Sequence, residues 1–395
     1  MKTNLLNTLA VAFCFLCYAA CDKGNEATSI EKFYGGDKMD TGECIQISSD
    51  EGFIIAGSTE SSGAGSSDAY LIKINDSGRK LWSKTYGGEY DEGASCVRQT
   101  VDGGYIIAGY KNSPGILDAN AYLVKTDKDG NMQWERIYPG NEGTRCKSVI
   151  QCDDNGYIMV GSESVRTNNS TFSLLLIIKT DEAGNMVWTK TYSGLYSAGG
   201  NSIIQTGSND FIICGETSGP ELEKMDVYLI KINGNGDTLW TRTYGGENNR
   251  NAGYSVSKTT DQGLIICGYT NYSDSLGSGK ADVILIRTNE NGDILWTKTY
   301  GGIGDDYGFS VTETKDGGLV LCGSTESFGA GNVNVYLVKT DDRGEMLWSK
   351  TFGGPQNDTG AAVCQTENGD YVIAGSTSSY GAGDYDVYFI KTSRD

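Results

Sequence analysis

The segment Trp-Ser/Thr-Lys/Arg-Thr-Tyr-Gly-Gly returns, with small departures, at Trp82, Trp134, Trp188, Trp240, Trp296 and Trp348, at spacings of 52, 54, 52, 56 and 52 residues. All six tryptophans lie in this series. A copy lacking the Trp, Lys32-Phe33-Tyr34-Gly35-Gly36, opens the array, and the last unit stops at Lys391-Thr392, just before its own copy would begin. A period near 53 marks one repeat array and overrides any domain count drawn from a length of 395 residues. Abundant glycine (55), scarce proline (4) and frequent tyrosine (24) suit many short strands joined by glycine-dependent turns.

One unit can be read from the second copy. Ser95 to Thr100 forms a short strand, Asp102-Gly103 a tight turn, and Tyr105 to Gly109 a continuous apolar run as expected of a strand covered on both faces. A glycine- and serine-rich loop leads to a third strand, Ala121 to Thr126, then the turn Asp127-Lys128-Asp129-Gly130 and a fourth strand, Gln133 to Tyr138. A sheet of four short strands cannot bury both faces alone, so copies must stack face to face around an axis. The fold class is therefore all-β, a seven-bladed β-propeller of four-stranded antiparallel blades. Six full units, three strands from residues 355 to 392, and an orphan fourth strand at residues 30 to 36 give that count. The N-terminal strand is expected to complete the C-terminal blade and remove the open edges.

Gly-Gly-Tyr-Ile-Ile-Ala-Gly (103 to 109), Asp-Val-Tyr-Leu-Ile-Lys (226 to 231) and Leu-Trp-Ser-Lys-Thr-Tyr-Gly-Gly (81 to 88) resemble the seven-bladed β-propeller repeat family common in secreted bacterial and archaeal proteins. The resemblance covers residues 30 to 395. The spacing from Asp127 to Trp134 is also similar to the tryptophan-docking motif of quinoprotein-type propellers and of outer-membrane assembly lipoproteins, although it is one residue shorter and no quinone-binding constellation accompanies it. Both resemblances imply the fold, and neither implies an activity or a cofactor.

Residues 1 to 20, with Lys2, an apolar run from Leu9 to Leu16 and Ala19-Ala20, are too short to span and remain in a bilayer. They resemble a lipoprotein signal peptide whose removal leaves a lipidated Cys21, with Tyr18 standing where that motif usually has Leu. Residues 21 to 29 then form a linker, and residues 30 to 395 a single propeller domain. The expected location is exported and lipid-anchored to the outer membrane, on its periplasmic or cell-surface side. A formal charge of -19 argues against nucleic acid. No histidine is present, which excludes Ser-His-Asp and Cys-His nucleophiles and every His-containing metal site. No metal and no cofactor are expected, and the protein is expected to be a monomer.

The tryptophans read as wedges between blades. The basic residues two places on (Lys32, Lys84, Arg136, Lys190, Arg242, Lys298 and Lys350) share their strand face and can cover the indoles. A second basic series, Lys73, Lys125, Lys179, Lys231, Arg287, Lys339 and Lys391, also repeats with the fold and reads as structural. Cys214, Cys267 and Cys322 occupy the place of Ala56, Ala108 and Ala374, and Cys44 and Cys96 that of Ser202, Ser255 and Ser310. With neighbouring blades about 10 Å apart, equivalent cysteines lie beyond disulfide reach, which predicts small buried fillers. Asp305-Asp306 and Asp91-Glu92 are the carboxylate pairs open to catalysis, and both read as solvated inter-blade loops.

Turns after the first and third strands are short and uniform, whereas the connections on the opposite face are long and varied, as in Val165 to Thr171, Gly219 to Met225 and Tyr272 to Ala281. Variation on a constant scaffold places binding on that variable face. Its candidate ligand-binding residues are Tyr90, Tyr110, Tyr196, Tyr269, Tyr272, Tyr307, Phe328, Tyr380 and Tyr385. Aromatics among short polar neighbours suit a glycan or a protein ligand. Non-catalytic binding is the leading expectation. A carboxylate- or tyrosine-based glycan hydrolase or lyase, and a scaffold subunit of an outer-membrane assembly, are the alternatives.

Overall fold

The computed structural model describes residues 29–112, 119–140, 142–167, 170–193, 196–207, 209–219, 224–246, 249–271 and 280–394. Cys21 and Tyr272 lie outside the described residues, as does most of the linker. Seven four-stranded antiparallel sheets form a ring, and no described residue is helical. Blades 1 to 6 span residues 40–86, 92–138, 144–192, 197–244, 251–300 and 306–352, and blade 7 joins residues 358–392 to 30–34. The second unit folds as read, with strands at Glu92–Gln99, Tyr105–Lys111, Asn120–Thr126 and Met132–Tyr138.

Closure also follows the repeat offset. Ile30–Tyr34 pairs antiparallel with Asp386–Thr392, from Ile30 opposite Lys391 to Tyr34 opposite Val387. The join is packed as well as hydrogen-bonded, since Phe53, Ile55 and Ile72 of blade 1 share one apolar cluster with Val372, Ala374 and Phe389 of blade 7. First strands of successive blades neighbour one another all round the ring, which makes them the innermost strands and fourth strands the rim.

The fourth strand is the blade-to-blade seal. Trp82 stands edge-on to Tyr105 of blade 2, with ring centroids 6.2 Å apart, and Trp134 stands likewise by Tyr157 of blade 3 at 5.9 Å. The wedge needs a glycine in the next blade. Gly130 has φ +76°, and a Cβ there would sit 2.7 Å from the Trp82 ring. Arg136, Lys190, Arg242 and Lys350 lie over the tryptophans two residues before them, at 4.8 to 6.0 Å. In every blade but the sixth a tyrosine closes the fourth strand and donates its hydroxyl to the turn glycine of the following blade, as in Tyr86 to Gly130, Tyr138 to Gly184, Tyr244 to Gly292 and Tyr300 to Gly344, each at 2.7 Å.

The second basic series is structural for a reason the repeat did not reveal. Lys73, Lys125, Lys179, Arg287 and Lys339 are buried, and each reaches the aspartate of its own blade's first hairpin turn: Asp50, Asp102, Asp154, Asp261 and Asp316. Backbone carbonyls take up further donors, Thr126 at 2.9 Å from Lys125 for example. Burial alone would raise the Asp50, Asp102, Asp154 and Asp316 carboxyls, but the cation and local donors hold each below the usual range.

Two expectations are corrected. Glu92 and Asp306 are fully buried rather than solvated. Glu92 accepts from the Gly88 amide at 3.0 Å, while Asp306 accepts from the Gly302 amide at 2.8 Å and the Ser327 hydroxyl at 2.6 Å, so both secure the inter-blade connection. The 10 Å spacing between equivalent cysteines also fails near the axis, where Cα atoms of neighbouring innermost strands come within 8 Å. There the Cys44 thiol meets that of Cys96. The eight described cysteines are free, and seven are buried.

Candidate functional site

Every innermost strand carries a β-bulge at the same step. Pairing with the second strand skips one residue between Gly42 and Cys44, Ala94 and Cys96, Cys146 and Ser148, Gly200 and Ser202, Gly253 and Ser255, Gly308 and Ser310, and Gly360 and Ala362. A bulged residue leaves the ladder and is re-aimed. The second strand must offer a glycine opposite. A Cβ on Gly57, Gly109, Gly161, Gly215, Gly268, Gly323 or Gly375 would lie 1.8 to 1.9 Å from a first-strand carbonyl oxygen. That close approach explains a glycine repeated in all seven blades.

The seven residues set free are Glu43, Ser95, Lys147, Asn201, Tyr254, Phe309 and Ala361, and all seven line one axial cavity of about 390 Å3. Gly42, Thr359 and Ser376 complete its wall. Innermost strands begin on the variable face and the bulge falls near their start, so the cavity belongs to that end of the axis. Further along the strand that carries Ser95, Arg98 donates to the Val97 carbonyl at 2.8 Å and toward the Cys44 sulfur at 3.3 Å.

The wall has two characters. Blades 5 and 6 contribute an aromatic group in which Tyr254 lies 5.3 Å from Phe309 and 5.9 Å from Tyr269, while Tyr307 stacks on Phe309 at 6.2 Å and meets Tyr269 edge-on at 5.2 Å. Blades 1 to 4 contribute polar groups. Asn201 donates to Glu216 at 2.6 Å and to the Gly253 carbonyl at 2.9 Å. Desolvation leaves the Glu43 and Glu216 carboxyls raised, an effect that the Lys147 ammonium offsets only in part. Glu43 also accepts from Thr41.

Of the aromatics proposed from sequence, the structure brings Tyr269 and Tyr307 into this group. Tyr110, at the end of its strand, lies under the Arg145 guanidinium at 4.6 Å. The others sit in outer loops. Tyr196 packs on Phe172 and shares a 3.1 Å hydrogen bond with Ser170, and Phe328 packs on Tyr336. Tyr380 lies by Phe33 and Tyr388, and the Tyr385 hydroxyl faces the Asn357 amide at 3.4 Å. Tyr90 is exposed. Sequence reading missed Glu43, Lys147, Asn201, Glu216, Tyr254 and Phe309. For all but Glu216, which lies on a second strand, the signal was a pattern of small, variable, small residues in each first strand, in which only the middle residue changes kind.

A larger hollow of about 590 Å3 opens on the uniform face, walled by residues such as Ser48, Ser49, Gln99, Thr366 and Glu367. Its turn positions vary as well, Ser49 and Glu367 for example being equivalent, but it is walled by blades 7, 1 and 2 alone rather than by one residue from every blade. Among the described residues no group of three or more acidic or cysteine side chains is placed to hold a metal.

No family model matches the chain. A stretch of 138 residues is 25% identical to the regulatory protein FlaEY of Caulobacter vibrioides, covering 32% of this chain and only 14% of that protein. Among solved structures, a protein of unknown function from Dyadobacter fermentans aligns with a TM-score of 0.52 and 10% identity, over 92% of this chain and 98% of that one. Puromycin hydrolase aligns at 0.55 and 11% identity, over 87% of this chain and 51% of that one. Sqt1 from Chaetomium thermophilum aligns at 0.50 and 12%, over 89% and 82%. At these identities the likeness concerns the fold alone.

Proposed function

We propose that this protein is a non-catalytic, membrane-anchored binding propeller of the cell envelope that takes its glycan or protein ligand at the axial cavity of the variable face. The observation that carries this reading is the ring of bulged residues. Six of its seven positions hold different polar, charged or aromatic side chains, while the surrounding scaffold repeats. A purely structural position would repeat as the tryptophans do. The volume lies within the roughly 300 to 1,000 Å3 typical of small-ligand sites. Outer aromatics such as Tyr90 and Tyr380 would widen the contact for a larger partner.

Orientation follows from the closing strand. Ile30 pairs near the end of the third strand, where the uniform turns lie, so a linker to a lipidated Cys21 would leave there and the axial mouth would face away from the membrane. Binding of glycan and envelope-protein panels tests the reading, comparing wild type with a Glu43→Ala/Lys147→Ala/Tyr254→Ala variant. Loss of a bound ligand at unchanged thermal stability supports the axial site. Retention by that variant, with loss after shortening the outer loops, moves binding to the rim. Release of reducing ends from a bound glycan would replace binding by hydrolysis.

A further inference from the structure

The ring order sets two unlike walls face to face. Glu43 and Lys147 come from blades 1 and 3, and Tyr254 and Phe309 from blades 5 and 6, on the opposite side of a seven-membered ring. Among the described residues Lys147 makes no hydrogen bond or ion pair, although its charge is felt by both Glu43 and Glu216. Glu216 is engaged by Asn201 and Glu43 by Thr41 alone, which leaves the remaining acceptor capacity of Glu43 and the Lys147 ammonium open to a ligand.

A charged ligand would satisfy one of these groups and meet like charge from the other. A hydroxyl both donates and accepts, so two neighbouring hydroxyls can serve an anion and a cation together at no net charge. The aromatic wall opposite, with the Tyr254 and Phe309 rings tilted 52° to one another, offers an apolar surface that the C–H face of a sugar ring can cover. We propose that the axial cavity binds a neutral pyranose of a glycan, with its apolar face on Tyr254 and Phe309 and a pair of adjacent hydroxyls shared between Glu43 and Lys147. This rests on the axial-site reading and narrows it to one ligand class.

Calorimetric titration of the protein with neutral trisaccharides (cellotriose, laminaritriose, mannotriose) and charged counterparts (trigalacturonate, chitosan trimer) tests it. At least one neutral trisaccharide should bind in preference to the charged ones. Lys147→Met and Glu43→Gln should each weaken it about 10- to 100-fold, the loss expected for one hydrogen bond to a charged group. Tyr254→Ala should weaken it about 5-fold or more from the lost stacking surface. Circular dichroism melting of each variant excludes unfolding as the cause. Preference for a charged trimer, or no neutral sugar bound, overturns the inference. If the same substitutions still abolish binding of the charged trimer or of a protein ligand, the axial site itself stands. A neutral sugar bound equally by all three variants overturns both.

Discussion

Changing Tyr138 to Phe removes one hydroxyl and nothing else from the seal between blades 2 and 3. The phenol is 7% exposed, burial pushes its pKa upward, and its hydroxyl donates at 2.7 Å to the carbonyl of the buried Gly184. Losing a neutral hydrogen bond costs about 0.5 to 1.5 kcal/mol net, and a buried partner left unsatisfied raises this to about 1 to 3 kcal/mol. Tyr138→Phe should therefore lower unfolding stability by about 2 kcal/mol, with similar losses for Tyr86, Tyr244 and Tyr300, whose distances match. The chain supplies its own control. The corresponding residue of blade 6 is Phe352, and it faces blade 7, whose third and fourth strands come from opposite ends of the chain and share no connecting turn. Phe352→Tyr should shift stability by no more than about 0.5 kcal/mol in either direction. Urea titration followed by circular dichroism reads both as midpoint shifts at constant slope. A Tyr138→Phe midpoint equal to wild type, or a gain of about 2 kcal/mol in Phe352→Tyr, would refute the hydroxyl as a tie between blades.

The hairpin ion pairs should respond asymmetrically. Asp102→Ala strands the buried Lys125 ammonium and should cost about 1 to 3 kcal/mol, whereas Lys125→Met leaves a half-exposed carboxylate in water and should cost less, both read by urea titration. Asp261 is held down to about 2 by the Thr259 hydroxyl, the Gly263 amide and the Arg287 guanidinium, against the pull of burial. Its contribution is complete above the ordinary aspartate pKa and is lost as pH falls through about 2, so Asp261→Asn should flatten the pH 4 to 2 limb of the stability profile; unchanged acid sensitivity would count against the assignment. Deleting residues 29 to 36 exposes the Asp386–Thr392 edge and the Phe389 cluster, which should cause association or loss of cooperative unfolding. A peptide of those residues supplied in trans should restore the size and cooperativity of the intact protein, and a truncated protein that keeps the intact protein's size and stability would contradict the closure.

What could be read in advance followed from what repeats. The Trp-Lys-Thr-Tyr-Gly-Gly offset gave the blade count, the strand order and the closing pair, because each depends on periodicity alone. The axial site escaped for the opposite reason. Glu43, Lys147 and Tyr254 are shifted out of the two-residue alternation by the bulge, so face assignment by alternation does not apply to them. Tyr269 and Tyr307 were found because they are aromatic and lie toward the variable face, and the same rule also gathered Tyr196 and Phe328, which pack within outer loops. Seeing Lys125 as the partner of Asp102 required the fold, since the two residues belong to different turns of the unit.

The bulge also bears on how such a protein can change. A residue in the ladder or the stack answers to its neighbours, and altering it risks the whole ring. Glu43, Ser95, Lys147, Asn201, Tyr254, Phe309 and Ala361 are held less by the ladder, because the backbone that displaces them is secured by the glycine opposite, although Asn201 is tied to Glu216 and Tyr254 packs on Phe309. Mutation can explore sites such as Ser95, Lys147 and Ala361 one at a time with little penalty in folding. If the axial cavity is the proposed binding site, the propeller resembles a lock with a fixed barrel and separately cut pins, and a new specificity would need no new architecture.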